Sequence, residues 1–203
     1  MKRLHIFSLA LATFLVLAGA VIAGNGRTDD ASLVAPAIGS AIADFSLPGT
    51  DGKIHTLNSL KGKNGSVLIF ISVQCPVSNA YNERMEALAR DYGKRGISVI
   101  GINANATEDA AAVKAHAAEK HLTFAVLKDP GNKIADRLGA TRTPEAYLLD
   151  ANNKLVYHGR IDNSKDASQV NSNELRDAMD AVLAGEPVVK PTAMAFGCNI
   201  KRA

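Results

Sequence analysis

Two cysteines, Cys75 and Cys198, are the only thiols in the 203-residue chain, and Cys75 stands where a thiol becomes reactive. Val67 to Ile71 is an unbroken apolar run rich in β-branched residues, the pattern of a strand buried on both faces. After Ser78, residues Tyr81, Met85, Leu88 and Tyr92 recur at helical spacing, and Gly93 and Gly96 close the segment. Cys75 therefore falls between a strand end and a helix start, with Pro76 at the first helical turn, where a missing N–H costs nothing. Free N–H groups and the helix dipole favour negative charge there, so the thiol is biased toward the thiolate, the form that attacks peroxides and disulfides. A small buried hydrophobe is the alternative role for a free cysteine.

The second candidate cluster is Arg142-Thr143-Pro144, directly before the apolar run Ala146 to Leu149. A proline in that place is either an ordinary first residue of a strand or a fixed cis turn. Arg142, two residues earlier, is a cation able to approach a thiolate or a solvated loop residue. His55, His116, His121 and His158 lie on separate segments without metal-ligand spacing, so no metal and no organic cofactor is expected.

The elements that must position these groups follow from periodicity and turn signals. Phe45 and Leu47 alternate in a short strand, Thr50 to Lys53 is a turn, and Ile54 to Leu57 returns as the second strand of a hairpin. Ile97 to Ile102 and Phe124 to Leu127 read as further buried strands. Between them Asn105 and Glu108 have the spacing of a capping box before an alanine-rich helix that ends near His121. Ile134, Ala135 and Leu138 mark a short helix closed by Gly139. Asn152-Asn153 is a tight turn between antiparallel strands, and Asn171 with Glu174 caps a last helix striped by Leu175, Ala178, Met179, Val182 and Leu183. Strands alternating with helices predict an α/β fold with a central, mostly parallel sheet, a terminal antiparallel hairpin and flanking helices.

In this order, hairpin, strand, Cys75-Pro-x-Ser78 at a helix start, βαβ, then Thr143-Pro144 before a hairpin, the sequence resembles the thioredoxin-like redoxins. That group spans the AhpC/TSA redoxins and the exported TlpA- and ResA-type reductases. Phe45 to Pro48, Asp51-Gly52-Lys53, Asn58 to Leu60 and Gly62-Lys63 are similar to that family's opening segment. The resemblance implies a thioredoxin fold over residues 38–185, a cis Pro144 facing Cys75, and a Thr143 backbone that pairs with an extended substrate. The motif also departs from the family. Ser78 replaces the second cysteine of a dithiol site. Ser72 matches the peroxidase hydroxyl position, but Leu68 stands where a proline is expected and Gln74 where a tryptophan is. Cys198, on a proline-containing arm over residues 186–203, is then a resolving cysteine, half of a static disulfide, or an independent thiol.

The start of the chain reads as an export signal. Lys2 and Arg3 precede an apolar run from Ile6 to Ala23, with small residues before Gly24, which predicts a signal peptide over 1–23 and a flexible linker over 24–37. An uncleaved leader is the one route to a membrane. The formal charge of +3 includes Lys2 and Arg3, and no basic block points to nucleic acid. The expected protein is an exported, periplasmic or extracellular thiol-dependent oxidoreductase. Its partners are a peroxide or disulfide substrate and an external thiol reductant or disulfide-bearing protein. A non-catalytic binding module, with Cys75 and Cys198 as a staple or a soft-metal (copper) site, is the rival.

Overall fold

The computed structural model describes Met1 and residues 33–203, so the expected signal peptide and most of the linker lie outside the described residues. Strands β1 (Ser46–Pro48) and β2 (Ile54–Thr56) form a small hairpin, and Thr56 caps the one-turn helix α1 (Leu57–Leu60). The main sheet starts with β3 (Gly65–Ile71) and leads into α2 (Pro76–Asn79) and α3 (Asn82–Gly93). It continues through β4 (Ile97–Asn103), α4 (Ala110–Glu119), β5 (Ala125–Lys128) and α5 (Lys133–Leu138). The chain then passes through β6 (Arg142–Thr143), β7 (Glu145–Asp150), β8 (Leu155–Gly159) and α6 (Glu174–Ala184), and finishes with β9 (Cys198–Asn199).

The five-stranded sheet has the order β5-β4-β3-β7-β8. Strands β3, β4 and β5 run parallel, while β7 and β8 run antiparallel, so the sheet is mixed where the sequence suggested mostly parallel. The tight turn at Asn152-Asn153 makes β8 an antiparallel partner, and β7 enters from the far side of the sheet beside β3. Strand β3 explains its own composition. Val67, Ile69 and Ile71 face one core with Met85, Leu88, Tyr92, Leu175 and Met179; Leu68 and Phe70 face the other with Leu57, Ile134 and Leu138. Every residue of β3 is buried, so an alternating pattern would have left polar groups inside.

Three local expectations are corrected. The helix after Cys75 is broken at Tyr81 into α2 and α3, because the Tyr81 N–H bonds back to Ser78 in a tighter turn and its phenol is drawn to Asp162. The Asn105–Glu108 capping box does not form: Asp109 caps α4 by accepting from the Ala112 N–H, and Glu108 turns inward. Nor does Asn171 cap α6; it bonds with Asn163, while Glu174 is the first residue of the helix and pairs with Arg160.

The segment after α6 reaches back over the domain. The His158 N–H donates to the Pro191 carbonyl at 2.9 Å, and the Ala193 N–H donates to the His158 carbonyl at 3.1 Å, so the arm first runs along β8. A side chain at Gly159 would meet the Ala193 backbone at 2.1 Å, which is why that position is glycine.

Candidate active site

Cys75 is the N-cap of α2, and its sulfur takes the place that a capping oxygen would hold, accepting the Ser78 N–H at 3.3 Å. Pro76 at the first helical position lacks an N–H that would have needed a partner. Because α2 is a single turn, its dipole is weak, and specific donors replace the helix-dipole argument drawn from the sequence. Cys75 is buried, its thiol donates to the Thr143 carbonyl at 3.3 Å, and the Thr143-Pro144 peptide is cis. Cys75 therefore meets the cis Thr143-Pro144 step, as the resemblance implied.

The fourth member arrives from the C-terminus. Strand β9 pairs antiparallel with β6, with Thr143 opposite Cys198 and Arg142 opposite Asn199. The edge that the sequence assigned to an extended substrate is thus filled by the chain itself. Both cysteines are free thiols, and Thr143, whose carbonyl accepts from the Cys75 thiol, is the residue that pairs with Cys198. Burial pushes the Cys75 thiol up, but the neighbouring Cys198 side chain, the Ser78 N–H that the sulfur accepts and the nearby Thr143 side chain outweigh it, and the thiol sits below its ordinary value. Cys198 moves the opposite way. The neighbouring Cys75 side chain raises it first, burial and the Cys75 charge add to that, and the Val77 N–H and Lys201 oppose. Each cysteine thus shifts the other, Cys75 downward and Cys198 upward.

The two serines hold the turn. The Ser78 hydroxyl accepts the Ser72 N–H at 3.1 Å, and the Ser72 hydroxyl accepts the Cys75 N–H at 3.0 Å. Ser72 has the spacing of a peroxidase hydroxyl, but its oxygen serves the backbone of the loop. Arg142 turns away from the sulfur, and its guanidinium donates to the Asn199 side chain and, at 3.5 Å, to the Gly197 carbonyl. It clamps the arm.

Sequence reasoning missed Glu108. This buried carboxylate accepts the Ser72 hydroxyl at 2.6 Å, the Val73 N–H at 2.9 Å, the Gln74 N–H at 3.0 Å and the Asn103 amide. Burial raises its pKa, but these four donors more than offset burial, and the carboxyl stays below its ordinary value. Its neighbour Asn105 accepts the Lys201 N–H at 2.7 Å, while the Ala106 N–H donates to the Lys201 carbonyl at 2.8 Å. One loop, Asn103 to Glu108, thereby holds the Cys75 turn on one side and the Cys198 arm on the other. The signal was present as an acidic residue three positions after Asn105, but the same spacing marks a helix cap.

Two further anchors seat the arm. Phe196 stacks edge-on against Tyr81 with ring centroids 6.3 Å apart, and Ile200 is buried in the second core. Burying one isoleucine contributes about 2 kcal/mol relative to leaving it in water. The cis-proline loop is fixed from below by Glu145, which accepts the Thr141 and Arg142 N–H groups at 2.8 Å each and bonds with His158 at 2.6 Å. The segment Gly159 to Asp162 is architectural. Arg160 pairs with Glu174, and Asp162 accepts from Arg84 and from the Tyr81 hydroxyl at 2.7 Å each.

Comparison with known proteins places the family and the fold. The model of the AhpC/TSA family matches residues 38–158. The chain is 27% identical over 154 residues to thiol-disulfide oxidoreductase ResA of Geobacillus thermodenitrificans, covering 76% of this chain and 85% of that protein. It is 30% identical over 126 residues to the chloroplastic peroxiredoxin Q of Triticum aestivum, covering 59% of this chain and 57% of that one. Among solved structures, a hypothetical protein from Sinorhizobium meliloti 1021 superposes with a TM-score of 0.77 at 33% identity, covering 84% of this chain and 97% of that one. The fold is that of the thioredoxin-like redoxins.

Proposed function

Because the chain belongs to the AhpC/TSA family of thioredoxin-like oxidoreductases, we propose that it is an exported two-cysteine enzyme in which Cys75 attacks and Cys198 resolves. The observation that carries this reading is the register of β9, which sets Cys198 opposite Thr143, the residue whose carbonyl accepts from the Cys75 thiol. With a hydroperoxide, the Cys75 thiolate displaces an alcohol or water and becomes a sulfenic acid. The Cys198 thiol then attacks that sulfur, and water leaves as the disulfide forms. With a disulfide, the Cys75 thiolate displaces one sulfur to give a mixed disulfide, and Cys198 releases the second. Either course ends in a Cys75–Cys198 disulfide, and an external dithiol returns both thiols while it is itself oxidised.

Export rests on the basic, apolar, small-residue order of the leader. An oxidising compartment suits a cysteine pair that cycles. The test uses protein recovered from outside the cytoplasm. Its intact mass is expected to begin near Gly24, and one equivalent of hydrogen peroxide is expected to remove two hydrogens and leave a disulfide that maps to Cys75 and Cys198. A Cys75 sulfinic acid beside a free Cys198 would refute the resolving role, and a mass that retains Met1 would refute cleavage.

A further inference from the structure

An open strand edge beside a nucleophile is a template for an extended polypeptide, because its unpaired N–H and C=O groups can take up another chain. Here that edge, Arg142–Thr143, is already paired with Cys198–Asn199. The seat is shaped for this segment. Gly197 has φ +139°, a conformation few other residues adopt, and a side chain there would meet the Thr143 carbonyl oxygen at 2.1 Å. Arg142 clasps the Gly197 carbonyl and the Asn199 side chain, the Ile200 N–H donates to the Thr141 carbonyl at 3.0 Å, and Lys201 is held by Asn105 and Ala106. Under this cover the residue Cys75 is 2% exposed.

Resting on the two-cysteine reading above, we infer that the segment Phe196–Asn199 is the specificity-determining element of the enzyme, and that while it is paired with β6 it keeps polypeptide disulfides off Cys75. Attack on a disulfide needs the incoming sulfur, the central sulfur and the leaving sulfur in line. A polypeptide on that line must occupy the space and the backbone groups that β9 already holds. A small oxidant needs neither. Cys198 is therefore both the resolving thiol and part of the strand that selects the oxidant.

The test measures the first chemical step on fully reduced, full-length protein, with a disulfide-linked peptide dimer and with hydrogen peroxide, each normalised to the rate with iodoacetamide. Normalisation removes any change in the ionisation of Cys75. The first variant is Gly197→Val, which unseats the segment while keeping both cysteines. The second is Arg142→Ala with Asn199→Ala, which loosens the clasp without crowding the fold. In both variants the ratio of the peptide-dimer rate to the peroxide rate is expected to rise by about tenfold or more, the change that ~1.4 kcal/mol of weakened docking permits. A ratio that stays within about twofold of wild type in both variants, under 0.5 kcal/mol by the same conversion, would overturn the inference while leaving the two-cysteine cycle intact. If Cys75 reacts with none of the three probes, the two-cysteine reading fails first and the inference falls with it.

Discussion

Cys198→Ser is expected to convert a cycling enzyme into one that reacts once. The first step uses Cys75, whose Ser78 N–H and Thr143 contacts remain. The second step has no thiol in place. An aligned intramolecular group acts at an effective concentration far above that of any external thiol, so steady-state turnover should fall by at least about 10²-fold. The sulfenic acid that accumulates is exposed to a second equivalent of peroxide and becomes sulfinic, which mass spectrometry detects at Cys75. Serine is close in size to cysteine and β9 keeps its backbone pairing, so the melting temperature should stay near the wild-type value. A mutant that melts far lower while turning over at the normal rate would make the cysteine pair architectural.

Glu108→Ala is expected to have the largest effect on stability. Four donors converge on this carboxylate, and an orphaned buried donor costs about 1–3 kcal/mol. Water entry and relaxation recover part of that, so the net loss is about 3–5 kcal/mol, the range of an uncompensated buried group. In a domain of this size that lowers the melting temperature by roughly 10–15 °C. Glu108→Gln should also destabilise, because one end of an amide presents N–H groups to donors. The carboxyl has a folded pKa below its unfolded value, so its contribution is complete above the unfolded value and is lost as pH falls through the folded one. Wild type should lose stability on acidification below the ordinary carboxylate range, and Glu108→Ala should lose less over the same window. Thermal unfolding followed against pH measures both. Equal acid sensitivity in wild type and mutant would show that Glu108 is not the group responsible.

Much of the frame was legible because local chemistry and global packing agree in it. The apolar run of β3 is buried on both faces, and the Tyr81, Met85, Leu88 and Tyr92 stripe lies in one core. Cys75 at the strand end and Pro144 before β7 could be placed from spacing and resemblance, and the structure brings them to the same point. What could not be read depends on long-range pairing. Strand β9 is two residues long, too short for any periodicity, and its partner lies 55 positions earlier for Thr143 and Cys198. Glu108 was hidden by a real ambiguity. Asn-x-x-Glu before a helix is a cap in most settings, but here Asp109 stands one residue on and takes the cap, which frees Glu108 to face the buried loop. Arg142 sits beside the chemistry in sequence, yet the arm offers its guanidinium a carbonyl and an amide that the sulfur side does not.

The central claim is that Cys75 and Cys198 are one redox couple. Equilibrating the mature protein in dithiol–disulfide buffers of stepped potential, trapping free thiols and counting them by mass, tests it directly. The account predicts that both thiols disappear together in a single two-electron transition, at a potential in the range of working thiol oxidoreductases, about −120 to −270 mV. A pair that remains oxidised below about −300 mV, as fixed structural disulfides do, or two thiols that titrate independently, would contradict it.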